Sequence, residues 1–478
     1  MILMKNKTGT RYAELFENTV IIAIGSFSSK VLVFFLVPLY TSVLSSSEYG
    51  FYDLIYTSLQ LAVPILSLNV SESVFRFTVS AKSETKKIVS FTTKCCVYSI
   101  LPAFMVLSAF AALGISDWIR EYYVYILIFY ISYMFNQYMI QLAKGIDKIK
   151  KMTISGVIGT VFMVGGNVIF LLVIKNGLRG FFVANILGQL IPAVYLFFSM
   201  HFWKMFSLTG NVDKDLKKMI LKYSAPLILT NIGWWINNAS DRYIITWGIG
   251  IDAAGILSVA YKIPSIIAVV YGLFIQAWQI SATKEYEKSN SGSFYKNIFI
   301  SLNIFLYYMI SLFLLFTKPI ASIMFAEDFY SAWIFVPFLL LSSYFSASAG
   351  FIAPILTARY DTKTVAYSTI IGGVVNILLN IILMFWIGTM GVTIATAFSS
   401  FIIFAVRYYS ARDVISGVNL RRVLTLWLAI LIQVVLEINS VYFFQFVPVV
   451  VISVLFRKTL IEYIRVLKLT INKRLKMN

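Results

Sequence analysis

The chain has 478 residues, of which 59% are hydrophobic and only 13% charged, with a mean hydropathy of +0.82. A soluble protein would be roughly a quarter charged, and here the apolar residues come in long blocks, so a water-soluble fold is excluded and an all-α polytopic membrane protein is expected. The formal charge of +19 invites a nucleic-acid reading, but the basic residues cluster in every second loop, so no nucleic acid is expected as a partner.

A spanning helix needs about 20 apolar residues, and fourteen segments qualify. The first six lie near 18–44, 50–77, 88–113, 119–144, 152–174 and 178–202. The next six lie near 220–247, 252–281, 294–317, 330–357, 363–387 and 389–410, and a last pair near 422–437 and 440–456. The first fifteen residues are polar, and Val20–Leu44 is too long for a signal-peptide core and lacks a small-residue cleavage site, so it reads as a retained span. Cys95 and Cys96 are adjacent within one predicted helix, with neither a disulfide framework nor a metal spacing, and are expected to pack. No metal site is expected.

Orientation follows from the loops. One set carries Lys5, Lys7 and Arg11; Lys82, Lys86 and Lys87; Lys144, Lys148, Lys150 and Lys151; and Lys214, Lys217, Lys218 and Lys222. It continues with Lys284, Lys288 and Lys296, then Arg359 and Lys363, then Arg407, Arg412, Arg421 and Arg422, and the tail from Arg457 to Lys476. The alternate set holds scattered bases such as Arg120, Lys175, Arg179 and Lys318, so both termini are expected in the cytoplasm.

The longest polar break is Lys204–Lys218, and a weak repeat lies on either side of it. Gly177-Leu-Arg-Gly180-Phe-Phe-Val-Ala184 opens the sixth span and Gly388-Thr-Met-Gly391-Val-Thr-Ile-Ala395 the twelfth; Ser155-Gly-Val-Ile-Gly159 likewise matches Thr369-Ile-Ile-Gly372. The offset stays near 211–214 residues. The expected organisation is a six-helix lobe over 1–203, a cytoplasmic linker over 204–219, a second six-helix lobe over 220–412, and two appended helices with a basic tail over 413–478. The glycines opening the sixth and twelfth spans are expected to serve close packing.

Within Lys222–Glu285, charges sit inside membrane-grade sequence: Asp241, Arg242 and Lys262. A charge near the bilayer centre costs about 2.5–3.5 kcal/mol on insertion scales, so such residues face a cavity or a partner. That is a transport signature.

The residues resemble the polysaccharide flippases of the multidrug/oligosaccharidyl-lipid/polysaccharide exporter superfamily, particularly Wzx-type O-antigen transporters. In the first half the likeness lies in Gly25-Ser-Phe-Ser-Ser-Lys30, Pro38 and Glu48-Tyr-Gly50-Phe-Tyr52. In the second it lies in Tyr223-Ser-Ala-Pro226, Ser240-Asp-Arg242, Gly255, Ala260-Tyr-Lys262-Ile-Pro264, Phe274-Ile-Gln-Ala-Trp278 and Glu285. The resemblance implies two six-helix bundles around a central cavity. It also implies translocation of undecaprenyl-pyrophosphate-linked oligosaccharide from the cytoplasmic to the periplasmic leaflet of a bacterial inner membrane. A polysaccharide polymerase and chain-length machinery would be further partners, beside membrane lipids. Lipid II, teichoic or capsular precursor flippases and cation-coupled drug exporters are the nearest competing readings.

Such a substrate needs fixed positive charge in a polar groove, because an unpaired anion in lipid is prohibitive. Lys30, mid-span, is the first candidate, with pairing to Asp53 the plain alternative. Lys262, beside Pro264, is the second, positioned for phosphate or for a freed carbonyl. The cationic pattern of lipid II flippases points to Arg76, which also reads as a positive-inside anchor. Arg242 is a phosphate candidate and Asp241 its support or part of a structural charge network; neighbours on a helix point about 100° apart, so the two are not expected to pair well. Asp53 and Glu72 bracket the second span and are candidates for proton or sodium coupling, Glu72 also reading as a solvated helix end near Arg76. Trp234, Trp235 and Trp278 are candidates for stacking on sugars. An enzyme is not expected: the only histidine, His201, sits at a predicted interface, and there is no Gly-rich phosphate loop and no soluble domain for nucleotide hydrolysis. Short external loops, Gly114–Glu121 and Lys318–Asp328, count against a polymerase or ligase. No cofactor is expected.

Overall fold

Backbone polar groups in lipid must be satisfied within the chain, and a helix does so residue by residue. The computed structural model describes residues 32, 34–80, 82–207, 212–286, 291–415, 420–457 and 461, and every regular element among them is helical. Eight helices are long and apolar enough to cross a membrane, or ten if each of two bent pairs is one span, among the described residues. The protein is an all-α, multi-pass membrane protein. Most of the first expected span, with Lys30, lies outside the described residues.

The chain divides into two compact units, Met1–Lys262 with Ile323–Ser331, and Ile263–Ser322 with Ala332–Asn478. The division falls at Lys262, within the eighth expected span, and not at the 204–219 linker. In the first unit the helices that matter are α1 (Val37–Val43), α2 (Ser46–Leu66), α3 (Val70–Ser80), α4 (Tyr123–Gly145), α5 (Ile149–Asn167), α6 (Gly177–Ser199), α7 (Lys214–Gly248) and α8 (Ile251–Ala260). The hairpin of α5 and α6 packs on α4, α4 on α3, and α2 lies against both α7 and α8. Its core is aromatic: Phe129 and Phe182 are fully buried, and Tyr52 meets Phe181 with ring centroids 4.4 Å apart.

In the second unit α9 (Ser291–Leu315), α10 (Val336–Ala358), α11 (Thr362–Ile387) and α12 (Thr389–Ala411) pack around buried Phe299, Tyr344, Phe351 and Phe404. Arg407, counted above among the loop cations, is instead a buried residue of α12. Its guanidinium donates to the Ser368 hydroxyl at 3.0 Å, the Ala349 carbonyl at 3.1 Å and the Thr369 hydroxyl at 2.9 Å, tying three helices together.

Two expectations about local structure change. The second span, expected to run unbroken over 50–77, is a pair: α2 and α3 meet at a bend of 58°. Pro64 supplies no N–H to the helix, and Leu68 and Asn69 then take left-handed φ of 55° and 50°. The eighth span is likewise broken at Tyr261, so Lys262 opens a new helix. The repeated glycines also divide their roles. Gly177 and Gly388 have φ of +50° and +62°, a turn conformation and not a packing requirement, whereas a Cβ on Gly180 would lie 2.9 Å from the Phe170 side chain.

Candidate functional site

The site grows from the start of α2. Ser45 caps the helix: its hydroxyl accepts from Glu48 N at 3.2 Å, and Glu48 Oε2 accepts from Ser45 N at 2.8 Å. Gly50 then faces α8 at very close range. A Cβ on Gly255 would fall onto the Ser46 carbonyl and lie 3.0 Å from Gly50 N, so only glycine lets these backbones approach. Three residues further along each helix, on the same faces, stand Asp53 and Ser258. The Ser258 hydroxyl donates to Asp53 Oδ2 at 2.7 Å. At the top of this contact, the Asp252 carboxylate accepts from the hydroxyls of Ser46, at 3.0 Å, and Ser47.

The third wall is α7, through Asp241 and Arg242. Arg242 Nε donates to Asp53 Oδ2 at 2.6 Å, and Nη1 reaches Asp241 Oδ1 at 3.3 Å and the Asn238 carbonyl at 2.9 Å. The guanidinium lies 4.8 Å from the centroid of Tyr261, whose hydroxyl donates to Asp241. The side chains of Arg242, Asp53 and Asp241 are 12%, 10% and 6% exposed, so this is a desolvated charge network. The expectation that Asp241 and Arg242 face too far apart to pair is corrected: the long arginine folds back along its own helix. Asp53, offered above as a partner for Lys30, is engaged by Arg242. Lys262 lies nearby, with Nζ 5.7 Å from the Tyr49 centroid, and Tyr49 in turn stacks on Tyr40 at 5.0 Å. Arg242 thus meets two carboxylates with Lys262 close by, and at a low dielectric the pairing of the arginine with them is what makes their burial tolerable.

The tryptophans separate. Trp235 Nε1 donates to the Thr57 carbonyl at 2.8 Å and its ring lies 4.9 Å from Tyr243, which bonds Ser58 at 2.6 Å; this side chain locks α7 to α2. Trp278 is 3% exposed, donates to the Phe351 carbonyl and has that ring stacked 4.2 Å away, so it has no face left for a sugar. Trp234 is 57% exposed and borders a polar cleft of about 280 Å³ in the first unit. Glu72 lines the same cleft, where Gln141 donates to it at 2.6 Å, so it is no plain solvated helix end. Arg76 is exposed on α3, one turn beyond Glu72. Ser258 and Tyr261 were missed by sequence reasoning, as were the carboxamides of the cleft; neither type carries a charge, and charge inside apolar sequence was the signal followed.

Residues 15–279 match the profile of the family described as polysaccharide biosynthesis protein, which is 265 of 478 residues (279 − 15 + 1) and more than half of the chain. No curated protein matches the chain by sequence. Among solved structures, the lipid II flippase MurJ in an inward closed conformation superposes with a TM-score of 0.65 at 16% identity, covering 92% of this chain and 100% of that one. An inward-facing multidrug resistance MATE family transporter of the MOP superfamily gives 0.64 at 15% identity over 82% of this chain and 95% of its own. An outward-facing one gives 0.57 at 14% over 84% and 96%. At these identities the likeness is one of fold.

Proposed function

The chain belongs to the polysaccharide biosynthesis protein family, and we propose that it is a flippase moving undecaprenyl-pyrophosphate-linked O-antigen repeat units from the cytoplasmic to the periplasmic leaflet by alternating access. The observation that carries this reading is the buried network of Arg242, Asp53 and Asp241 held beside Lys262. A guanidinium fork binds phosphate oxygens as readily as carboxylate oxygens. A pyrophosphate entering here takes the place of Asp53 on Arg242, with Lys262 and, from the first span, Lys30 as further positive charge. The carboxylate set free then needs a new partner, since an unpaired buried charge costs several kcal/mol. A proton or a sodium ion on Asp53 meets that need, which gives the cycle a means of coupling.

A drug exporter for organic cations would want carboxylates free to receive its cargo, whereas both carboxylates here are committed to arginine. The flippase reading is tested in a deletion strain complemented with Lys30→Ala or Lys262→Ala. Surface polysaccharide should be lost and unpolymerised lipid-linked units should accumulate on the inner leaflet, at unchanged protein level. Normal polysaccharide from both variants would sink the phosphate assignment.

A further inference from the structure

We propose that the cleft at the break between α2 and α3 binds the uncharged saccharide portion of the cargo, a reading that rests on the flippase assignment and adds to it. The cleft lies within the first unit, and its polar lining is of one kind. Gln60, Asn69, Gln137, Gln141 and Asn231 offer carboxamides, and Ser67, Ser71 and Tyr133 offer hydroxyls. Among the described residues the only charged side chain bordering it is Glu72, already accepting from Gln141. Among the described residues no cation lines the wall, so none of them would hold a phosphate group there. Carboxamides and hydroxyls both donate and accept, as sugar hydroxyl and acetamido groups do.

The break itself leaves the site unsatisfied. Asn69 is 4% exposed, sits at left-handed φ on the cleft wall, and its Nδ2 has no hydrogen-bond partner; neither does the Ser71 hydroxyl. Buried polar groups are nearly always partnered, so an acceptor from a ligand is what this corner lacks. The unpaired Nδ2 is a donor, which speaks against a bare metal cation as the occupant. Above it the exposed Trp234 ring supplies an apolar platform of the kind a sugar face needs.

Distance supports the same assignment. Gln60 lies seven residues beyond Asp53 on α2, and Trp234 eight residues before Arg242 on α7, so both sit about 10–12 Å from the charge network at 1.5 Å per residue. Spacing of seven or eight residues also keeps them on the same helix faces as the charges. A glycan attached to a pyrophosphate at Arg242 would therefore run straight into the cleft.

The test uses the full-length protein in lipid nanodiscs, with N,N′-diacetylchitobiose as the uncharged probe and inorganic pyrophosphate as the charged one, each titrated by saturation-transfer NMR. Asn69→Gly removes the amide while keeping the left-handed backbone, and Trp234→Ala removes the platform at an exposed position. Each should weaken chitobiose binding tenfold or more and leave pyrophosphate binding unchanged. Failure of the wild-type protein to bind chitobiose, binding by both variants as tight as wild type, or a parallel fall for both probes would overturn the proposal. If chitobiose behaves as expected and pyrophosphate does not bind, the cleft stands and the phosphate site at Arg242 falls.

Discussion

Arg242 holds two opposite relations at once: it is neutralised by Asp53 and Asp241, and it is the group that the proposed cargo must engage. Removing one member of a buried pair costs about 3–5 kcal/mol, because the remaining charge is stranded. Arg242→Gln should therefore lower the melting temperature sharply, and Arg242→Gln with Asp53→Asn should recover part of the loss, Asp241 staying without its arginine. Surface polysaccharide should stay absent in both; its return in the more stable double variant would make Arg242 a structural residue only. Sequence reasoning reached Asp53, Asp241 and Arg242 because a charge inside an apolar run is conspicuous. It missed that the three form one network, since 188 residues separate Asp53 from Asp241 (241 − 53) and only the fold brings them together. Trp278 was misplaced for the complementary reason: an indole ring looks the same in sequence whether its face meets sugar or Phe351.

At the level of helices, the close passage of α2 over α8 sets the whole site. The resembling motif Glu48-Tyr-Gly50 resolves into a cap, a ring under Lys262 and a close-approach glycine. Gly255→Ala would push a methyl into the Ser46 carbonyl, and overpacking of this kind costs about 1–3 kcal/mol. It should also draw Ser258 away from Asp53 and reduce transport more than stability. Gly156→Ala on α5 is the control, because nothing lies within 4 Å of the added carbon, and it should be neutral or stabilising by about 0.5–1 kcal/mol. Thermal unfolding of the two purified variants in one detergent checks both signs; equal melting temperatures would contradict the close-approach argument. Span positions were largely legible, with the segment near 363–387 found as Thr362–Ile387 and that near 389–410 as Thr389–Ala411. The two breaks were not, because hydropathy averaged over about twenty residues hides a Ser67–Asn69 turn that Pro64 had already announced.

For the molecule as a whole, the weak repeat reads as a proposal of two related halves, and two pairs of glycines can be compared across it. Gly177 and Gly388 are 211 residues apart (388 − 177) and share a positive φ, while Gly180 and Gly391 at the same offset each press on the segment before their helix. Matching backbone requirements at matching positions are what the proposed repeat would lead one to expect. The proposed orientation, with both termini in the cytoplasm, rests on the basic loops alternating along the sequence, as Lys144–Lys151 and Lys214–Lys222 do with the span near 178–202 and the scattered bases Lys175 and Arg179 between them. Reversing the protein would require carrying each of these clusters across the bilayer, whereas the opposite loops hold only scattered bases. Single cysteines introduced into a chain lacking Cys95 and Cys96 read this directly. Ser116→Cys and Asn176→Cys should react with a membrane-impermeant maleimide in intact spheroplasts, and Lys148→Cys only after lysis. Labelling at position 148 before lysis would reverse the orientation, and with it the direction in which the proposed cargo is moved.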